Sequence, residues 1–302
     1  MTRISVIMCC CNSEQYIKET IESVLNQTFS DYEFIIWNDG SEDSTETIVK
    51  SYNDERIKYY YHENTGIGVA RSLAATKAQG RYVAIIDSDD ICLPDRLEKE
   101  FDFLDKHPKY ALVSSQMIYI NEIGEEIGYS YSVLCDYVIR RKMSENSVIS
   151  HSGCMYRKSI YDKAGGYSGI VLGEDHVLFS RMMKYGKAYI LPYPLVKYRI
   201  RSMSLMHSVR NNNYMPILGA FRRKMINDGV ITNDDVVTYN RLYLLSKKAL
   251  DNQDSSNSSR EYKSVENSLL LKIKPLFGER NAKQMIVSAK NLLFVLYYFF
   301  RR

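Results

Sequence analysis

The sequence predicts an α/β fold with a parallel sheet, continued by a helical appendage at the C-terminus. Three observations predict it. Short apolar runs alternate with helical patterns through the first hundred residues, the signature of βαβ units. The chain has 302 residues and is 45% hydrophobic, enough for one large domain with its own core. From about Ser208 onward the pattern turns helical, broken only by the polar stretch "DNQDSSNSSREYKSVENS" at 251–268, which reads as a loop or linker.

The elements follow in order. Strands are expected at Ile4 to Met8, Phe34 to Trp37, Ile57 to Tyr61 and Tyr82 to Ile86, each a short apolar run. Between the first two, Ile17, Ile21, Val24 and Leu25 fall on one helical face. Asp43 to Glu46, "DSTE", starts a second helix with an acid three residues on. Val69, Leu73 and the stem of Lys77 mark the buried face of a third. Pro94 opens a fourth, carrying Leu97, Phe101 and Leu104 inward. Further strands are expected near Ala111 to Ile120 and Ala188 to Leu191.

Cys9, Cys10 and Cys11 close the first strand, where neighbours point to opposite faces. They read as reduced, packed thiols of a cytosolic protein rather than a disulfide framework. The opening "MTRISVIMCCCNSEQ" shows no small-residue cleavage site, so no signal peptide is expected. The net charge of +4 is uneven: residues 208–302 hold 16 Lys+Arg against 8 Asp+Glu, while residues 1–207 hold 24 against 28. The front half is acidic and the tail basic. The tail ends in nine apolar residues, Leu292 to Phe300, closed by Arg301 and Arg302, with Lys283 and Lys290 upstream. That run is too short to span a bilayer, which takes about 20 residues. It suits either a helix lying on an anionic membrane surface or one packed under the domain.

The strongest chemical signal is "YVAIIDSDD", a core strand running into Asp87, Asp89 and Asp90. Carboxylates this close raise one another's pKa and call for a cation between them. If the backbone stays extended, Asp87 and Asp89 project to one side, roughly 6.6 Å apart. Strand carboxyl ends are where α/β sheets collect ligands; the plain alternative is an acidic turn with Asp90 as a local helix cap. A calcium loop is excluded, because Asp87, Asp89 and Glu98 occupy its positions 1, 3 and 12 while Ile91 and Cys92 stand where an oxygen ligand and a glycine are required. "GIGVAR" from Gly66 lacks one glycine of the dinucleotide fingerprint, and no P-loop motif occurs, so dehydrogenase and P-loop NTPase chemistries are not expected.

Taken together and in order, "SVIMCCCNSEQYIKETIESVLNQTFSDYEFIIWNDGSEDST", "ENTGIGVARSLAATKAQGRYVAIIDSDD" and "GEDHVLFSRMMKYG" resemble the inverting family 2 glycosyltransferases, over residues 4 to about 205. The resemblance implies the GT-A fold, a Rossmann-like mixed sheet flanked by helices. It implies a catalytic domain over 1–207, with a nucleotide-sugar half (1–110) and an acceptor half (111–207), followed by the helical region 208–302. "CCCN", Cys9 to Asn12, stands at the turn that cradles the nucleotide base, which places Cys9 and Cys11 beside the donor, with Glu14 at the family's acidic position. Asp39 matches the aspartate that bonds the uracil ring, and Arg71 the arginine near the diphosphate. Asp87, Ser88 and Asp89 match the DXD motif, implying Mn²⁺ or Mg²⁺ held by Asp89 directly, with Asp87 nearer the ribose or a metal-bound water. Asp175 aligns with the catalytic base, and Glu174 and His151 fall on the acceptor side. In "YRIRSMS", Tyr198 to Ser204, Arg201 replaces a histidine of the family; a guanidinium clamps phosphate but cannot ligate a metal, which leaves His207 as a substitute ligand.

The expected activity is therefore metal-dependent, inverting transfer from a nucleotide sugar, UDP-linked, to a glycan or lipid-linked saccharide of a surface polysaccharide. The expected location is the cytoplasm, peripheral to the inner face of the cell membrane, with no nucleic-acid partner. The rivals are a non-catalytic nucleotide-sugar or glycan binder on the same fold and a two-carboxylate glycoside hydrolase needing neither nucleotide nor metal.

Overall fold

The computed structural model describes residues 2–130, 135–143, 147–170, 172–201 and 236, 237, 239 and 240. The chain groups into two units, Met1–Ser204 with Arg222–Thr232, and Leu205–Phe221 with Asn233–Arg302. In the second, the four described residues are helical and Tyr239 is buried. The expected boundary at 207, His207 and the tail from Lys283 to Arg302 all lie outside the described residues.

The first unit is built on one nine-stranded sheet. Its donor-side half is parallel: β1 (Ile4–Cys10) lies between β2 (Tyr32–Asp39) and β4 (Tyr82–Ile85), with β3 (Ile57–His62) on the outer side of β2. Every residue of β2 and β4 is buried, which is why the strand centres, Phe34 to Trp37 and Tyr82 to Ile85, read as apolar runs: a parallel sheet is covered on both faces. Alternation sorts the side chains. Ile7, Ile35, Trp37, Val83 and Ile85 pack on one face under α3 (Ile67–Thr76), and Ile4, Val6, Met8, Phe34 and Ile36 on the other, under α1 (Ile17–Leu25) and α4 (Arg96–Lys106). The short helix α2 (Thr45–Lys50) follows β2.

The sheet changes sense at β4. β8 (Cys154–Arg157) joins β4 antiparallel, β6 (Tyr110–Ile120) joins β8 antiparallel, and β9 (Lys187–Arg199) runs parallel to β6. The two-residue β5 (Ile91–Cys92) caps β9, and β7 (Glu126–Tyr129) folds back on β6 as a hairpin. Helices α5 (Asp136–Met143), α6 (Lys158–Lys163) and α7 (Glu174–Met182) complete this half. Among the described residues, no helix is long and apolar enough to cross a membrane.

Several expectations are corrected. The strand before the acidic cluster ends at Ile85, and Asp90 N–H donates to Asp87 O at 3.2 Å, so Asp87 to Asp90 form a turn and the extended spacing of the carboxylates does not hold. Asp90 caps no helix: α4 starts at Arg96, two residues beyond Pro94, and Asp90 is buried elsewhere. In α3 the buried residues are Gly68, Ala70, Ala74 and Ala75, small side chains that let the helix sit close to the sheet, while Lys77 is exposed with its ammonium 5.3 Å above the Tyr60 ring. β9 runs far beyond Leu191 because the β6 ladder slips past Pro192 to Pro194, where prolines cannot donate, and then resumes. The six cysteines are free as expected, but Cys11 and Cys135 are exposed rather than packed.

A charged pair sits inside this core. Arg96 and Glu100 are both fully buried one helical turn apart, with Arg96 Nε 3.2 Å from Glu100 Oε2. Arg96 Nη2 donates to Ile85 O at 2.7 Å and to Cys154 O at 3.3 Å, so the guanidinium satisfies carbonyls on both sides of the place where the sheet changes sense.

Candidate active site

The site forms where the carboxyl ends of β1, β2 and β4 meet the start of α7. Two loops are laced together above β1 and β2. Asn12, left-handed at φ 50, donates its N–H to Ser41 Oγ (3.0 Å) and accepts from Glu42 N–H through Oδ1 (2.8 Å). Glu14 accepts Ser44 N–H at 2.9 Å, which spends its carboxylate on the entry to α2. Ser13 Oγ lies 2.8 Å from Ser88 Oγ and ties this loop to the acidic turn.

Asp39, buried at the end of β2, accepts the N–H and hydroxyl of Thr65 on Oδ1 (3.0 and 2.9 Å) and the N–H of Gly66 on Oδ2 (3.0 Å). It thereby holds the N-terminus of α3, where unpaired amides and the helix dipole favour an anion. Asn64 Nδ2 bridges from Asp39 O (3.1 Å) to Cys11 Sγ (3.3 Å), so the exposed Cys11 thiol and the Asp39 backbone form one edge of the cleft. Cys9 is half-buried among Arg71, Asp87, Asp39 and Glu174, and burial pushes its thiol up to about 12, so it lines the site as a neutral group.

The acidic turn is held from three sides. Asp87 Oδ1 accepts from Arg71 Nη2 at 2.7 Å, with His151 Nδ1 at 3.6 Å from the same oxygen. Burial alone would raise the Asp87 carboxyl, but Arg71 and His151 hold it well below the usual range. Asp89 Oδ2 lies 2.9 Å from Arg201 Nε as an ion pair. Burial and the Asp87 charge push Asp89 up in spite of Arg201. Asp90 Oδ1 accepts Arg199 N–H at 2.8 Å, and Arg199 Nε donates to Asp89 O at 2.9 Å. Arg199 also reaches Glu19 Oε2 at 2.5 Å and stands 4.5 Å over the Tyr16 ring, pinning the turn between β9 and α1.

α7 opens after Gly173, left-handed at φ 77, which aims two acids differently. Glu174 is 3% exposed and paired with Arg71 Nη1; burial raises its carboxyl, with Asp175 adding to the rise and Arg71 opposing it. It was expected on the acceptor side, and is turned inward instead. Asp175 stays partly exposed and accepts His176 N–H at 2.7 Å. His151, also expected to meet the acceptor, is buried with Nε2 2.8 Å from Tyr167 Oη. Arg71, expected at a diphosphate, joins Asp87 of one half to Glu174 of the other.

Among the described residues no three His, Cys, Asp or Glu side chains group as a closed metal cage. The acidic turn nevertheless fits a hard cation that takes its other ligands from water and phosphate: the donors are carboxylate oxygens, and Asp87 and Asp89 stand close enough for the Asp87 charge to add to the rise that burial causes at Asp89. Sequence reasoning missed Tyr16, Arg199, Thr65 and Tyr167. Only Arg199 had a visible signal, since it is two residues from Arg201 in the same strand pattern.

The family model described as Glycosyl transferase family 2 matches residues 5–165. An uncharacterised glycosyltransferase of Methanocaldococcus jannaschii is 32% identical over 209 residues, covering 65% of this chain and 70% of that protein. TuaG of Bacillus subtilis, named for teichuronic acid biosynthesis, is 46% identical over 104 residues, 33% of this chain and 41% of that one. Among solved structures, S. aureus TarS in complex with UDP-GlcNAc superposes with a TM-score of 0.63 at 18% identity, over 98% of this chain and 88% of that one.

Proposed function

Since this chain belongs to glycosyltransferase family 2 and carries the GT-A fold, we propose that it transfers a sugar from a UDP-linked donor to a hydroxyl of a glycan or lipid-linked saccharide, with inversion, during surface polysaccharide assembly. The observation that carries the mechanism is the division of labour at the start of α7: Glu174 is buried and ion-paired, whereas Asp175 is accessible. A sugar hydroxyl is a poor nucleophile. Asp175 takes its proton as the oxygen attacks the anomeric carbon, and the bond from that carbon to the diphosphate oxygen breaks on the opposite face. One displacement inverts the configuration, and the electron pair leaves with UDP.

Donor binding falls to the other end of the cleft. Cys11 and Asp39, with Asn64 between them, flank the position for the base, and the Arg201 guanidinium stands beside Asp89 as a phosphate partner. Asp89 and Asp87 are the residues that would hold Mn²⁺ or Mg²⁺, which supplies Lewis-acid stabilisation of the departing diphosphate. UDP in the TarS structure and the assignment of TuaG to teichuronic acid biosynthesis support the donor and the pathway class. The basic balance of residues 208–302 supports work at the inner face of an anionic membrane, which sedimentation with anionic vesicles at low salt tests.

The deciding experiment measures UDP release from a panel of UDP-sugars with and without Mn²⁺, for wild type and Asp175→Asn. The proposal expects metal-dependent release that Asp175→Asn lowers by ~10²–10⁴-fold while UDP still binds. No release from any UDP-sugar, or an undiminished Asp175→Asn, overturns it.

A further inference from the structure

Two residues of α3 meet the segment that leads into α7, and neither contact is explained by donor binding. Gly68 and Arg71 are three apart and therefore share a face of the helix. A Cβ on Gly68 would stand 2.1 Å from the Ile170 carbonyl oxygen and 3.0 Å from the Gly169 carbonyl carbon. The α3 backbone thus rests directly on the 169–170 backbone, at a distance only glycine permits, and Ile170 is fully buried there. One turn further along, Arg71 donates through Nη1 to Glu174 and through Nη2 to Asp87, with 12% of its side chain exposed.

We propose that Arg71 is a positioning residue for the base: seated on α3, it holds Glu174 and through it sets Asp175, while Gly68 lets α3 approach closely enough for this to happen. Arg71 has two donor arms and both are taken by carboxylates, one from each half of the sheet. Among the described contacts Arg71 is the side chain hydrogen-bonded to the Glu174 carboxylate, so the start of α7 is anchored where Arg71 places it. Asp175 is the next residue of the same helical turn, and a shift of Glu174 moves it. Small displacements of a catalytic group matter: about 1 Å can cost on the order of a hundredfold in rate. The inference rests on the reading of Asp175 as the base. It differs from the sequence expectation that Arg71 serves the diphosphate.

The test uses the full chain and two variants that substitute neither Asp87 nor Arg71, Glu174→Gln and Gly68→Ala, beside Arg71→Ala and Arg71→Lys. Steady-state kinetics and calorimetric titration of UDP with Mn²⁺ are read together, with a melting temperature for each protein. Glu174→Gln is nearly isosteric and stays folded if Gly68→Ala does not. The positioning role expects Glu174→Gln to lower kcat about tenfold or more, with donor KM and UDP affinity within about twofold of wild type. Arg71→Lys should regain part of the kcat that Arg71→Ala loses. Wild-type kcat in Glu174→Gln overturns the inference, as does a loss of UDP affinity in Arg71→Ala that accounts for its whole loss of kcat/KM. A wild-type protein that releases no UDP fails the activity proposal itself. A dead Asp175→Asn beside a fully active Glu174→Gln fails this inference alone.

Discussion

Arg201 stands 2.9 Å from Asp89, a cation from the chain just after β9 set against the carboxylate that follows β4. The pair is partly exposed, so its own contribution to stability is small, and its value lies in what it offers an incoming anion. Arg201→Ala should raise donor KM roughly tenfold or more while leaving kcat nearer wild type, as a charge-assisted hydrogen bond of about 1.5–3 kcal/mol is lost. Arg201→Lys should recover part of it, because a point charge replaces a fork. Initial rates at varied donor concentration check this; an unchanged KM removes Arg201 from the donor site.

Asp89→Asn keeps the size of the side chain and removes its charge. Calorimetry should show the Mn²⁺-dependent part of UDP binding abolished, with metal-independent binding little altered. Equal Mn²⁺ dependence in wild type and variant would take the cation away from this turn.

Asp39 satisfies three donors at the entry to α3. An asparagine offers one acceptor oxygen and turns an amide toward a backbone N–H. Asp39→Asn should therefore cost about 1–3 kcal/mol, and on the order of 2–4 °C of melting temperature for each kcal/mol. Differential scanning fluorimetry measures it, and UDP affinity should fall in the same variant because Asn64 and Cys11 rest on the Asp39 backbone.

Burial pushes the Glu100 carboxyl up from 4.5 to about 7, against the pull of Arg96. The sign follows from which state holds the proton more tightly. The folded state does, so the stabilisation is complete below about pH 4.5 and is lost as pH rises through about 7. Glu100→Gln mimics the protonated acid and cannot titrate. The melting temperature of wild type relative to Glu100→Gln should fall between pH 5 and roughly 8 and then level off. A flat difference across that window would mean Glu100 is ionised throughout.

The donor half was legible because burial on both faces writes itself as apolar runs at the centres of β1, β2 and β4. β8 was not, since "CMYR" is four residues with an arginine, and that arginine is buried by donating to carbonyls of Leu104 and Tyr110, which no local pattern reports. The acids of the site were visible as types in order, while their partners were not. Arg199 and Arg201 look alike in "YRIR", yet β9 ends at the first, which is buried against Glu19, while the second lies past the strand end and stays partly exposed beside Asp89. Gly68 is one of two glycines in "GIG", and what singles it out is a carbonyl about a hundred residues downstream. Cys9, Cys10 and Cys11 followed alternation only as far as the strand lasted: once β1 ends, Cys11 has no inner face to turn to.

The change of strand sense at β4 also makes the protein divisible by recombination. β4 and β8 share only four residue pairs, and the chain crosses between the halves in the short stretch after α4. A crossover placed between Lys106 and Tyr110 would hand a new acceptor half to an old donor half with the parallel strands undisturbed. Such hybrids inherit one matching requirement from the parents: the glycine and arginine of α3 must find the backbone of Ile170 and the carboxylate of Glu174 in the incoming piece. Shuffled libraries that keep those four positions together should yield active enzymes more often than libraries that separate them, and new acceptor preferences can spread through such exchange without the donor site being rebuilt.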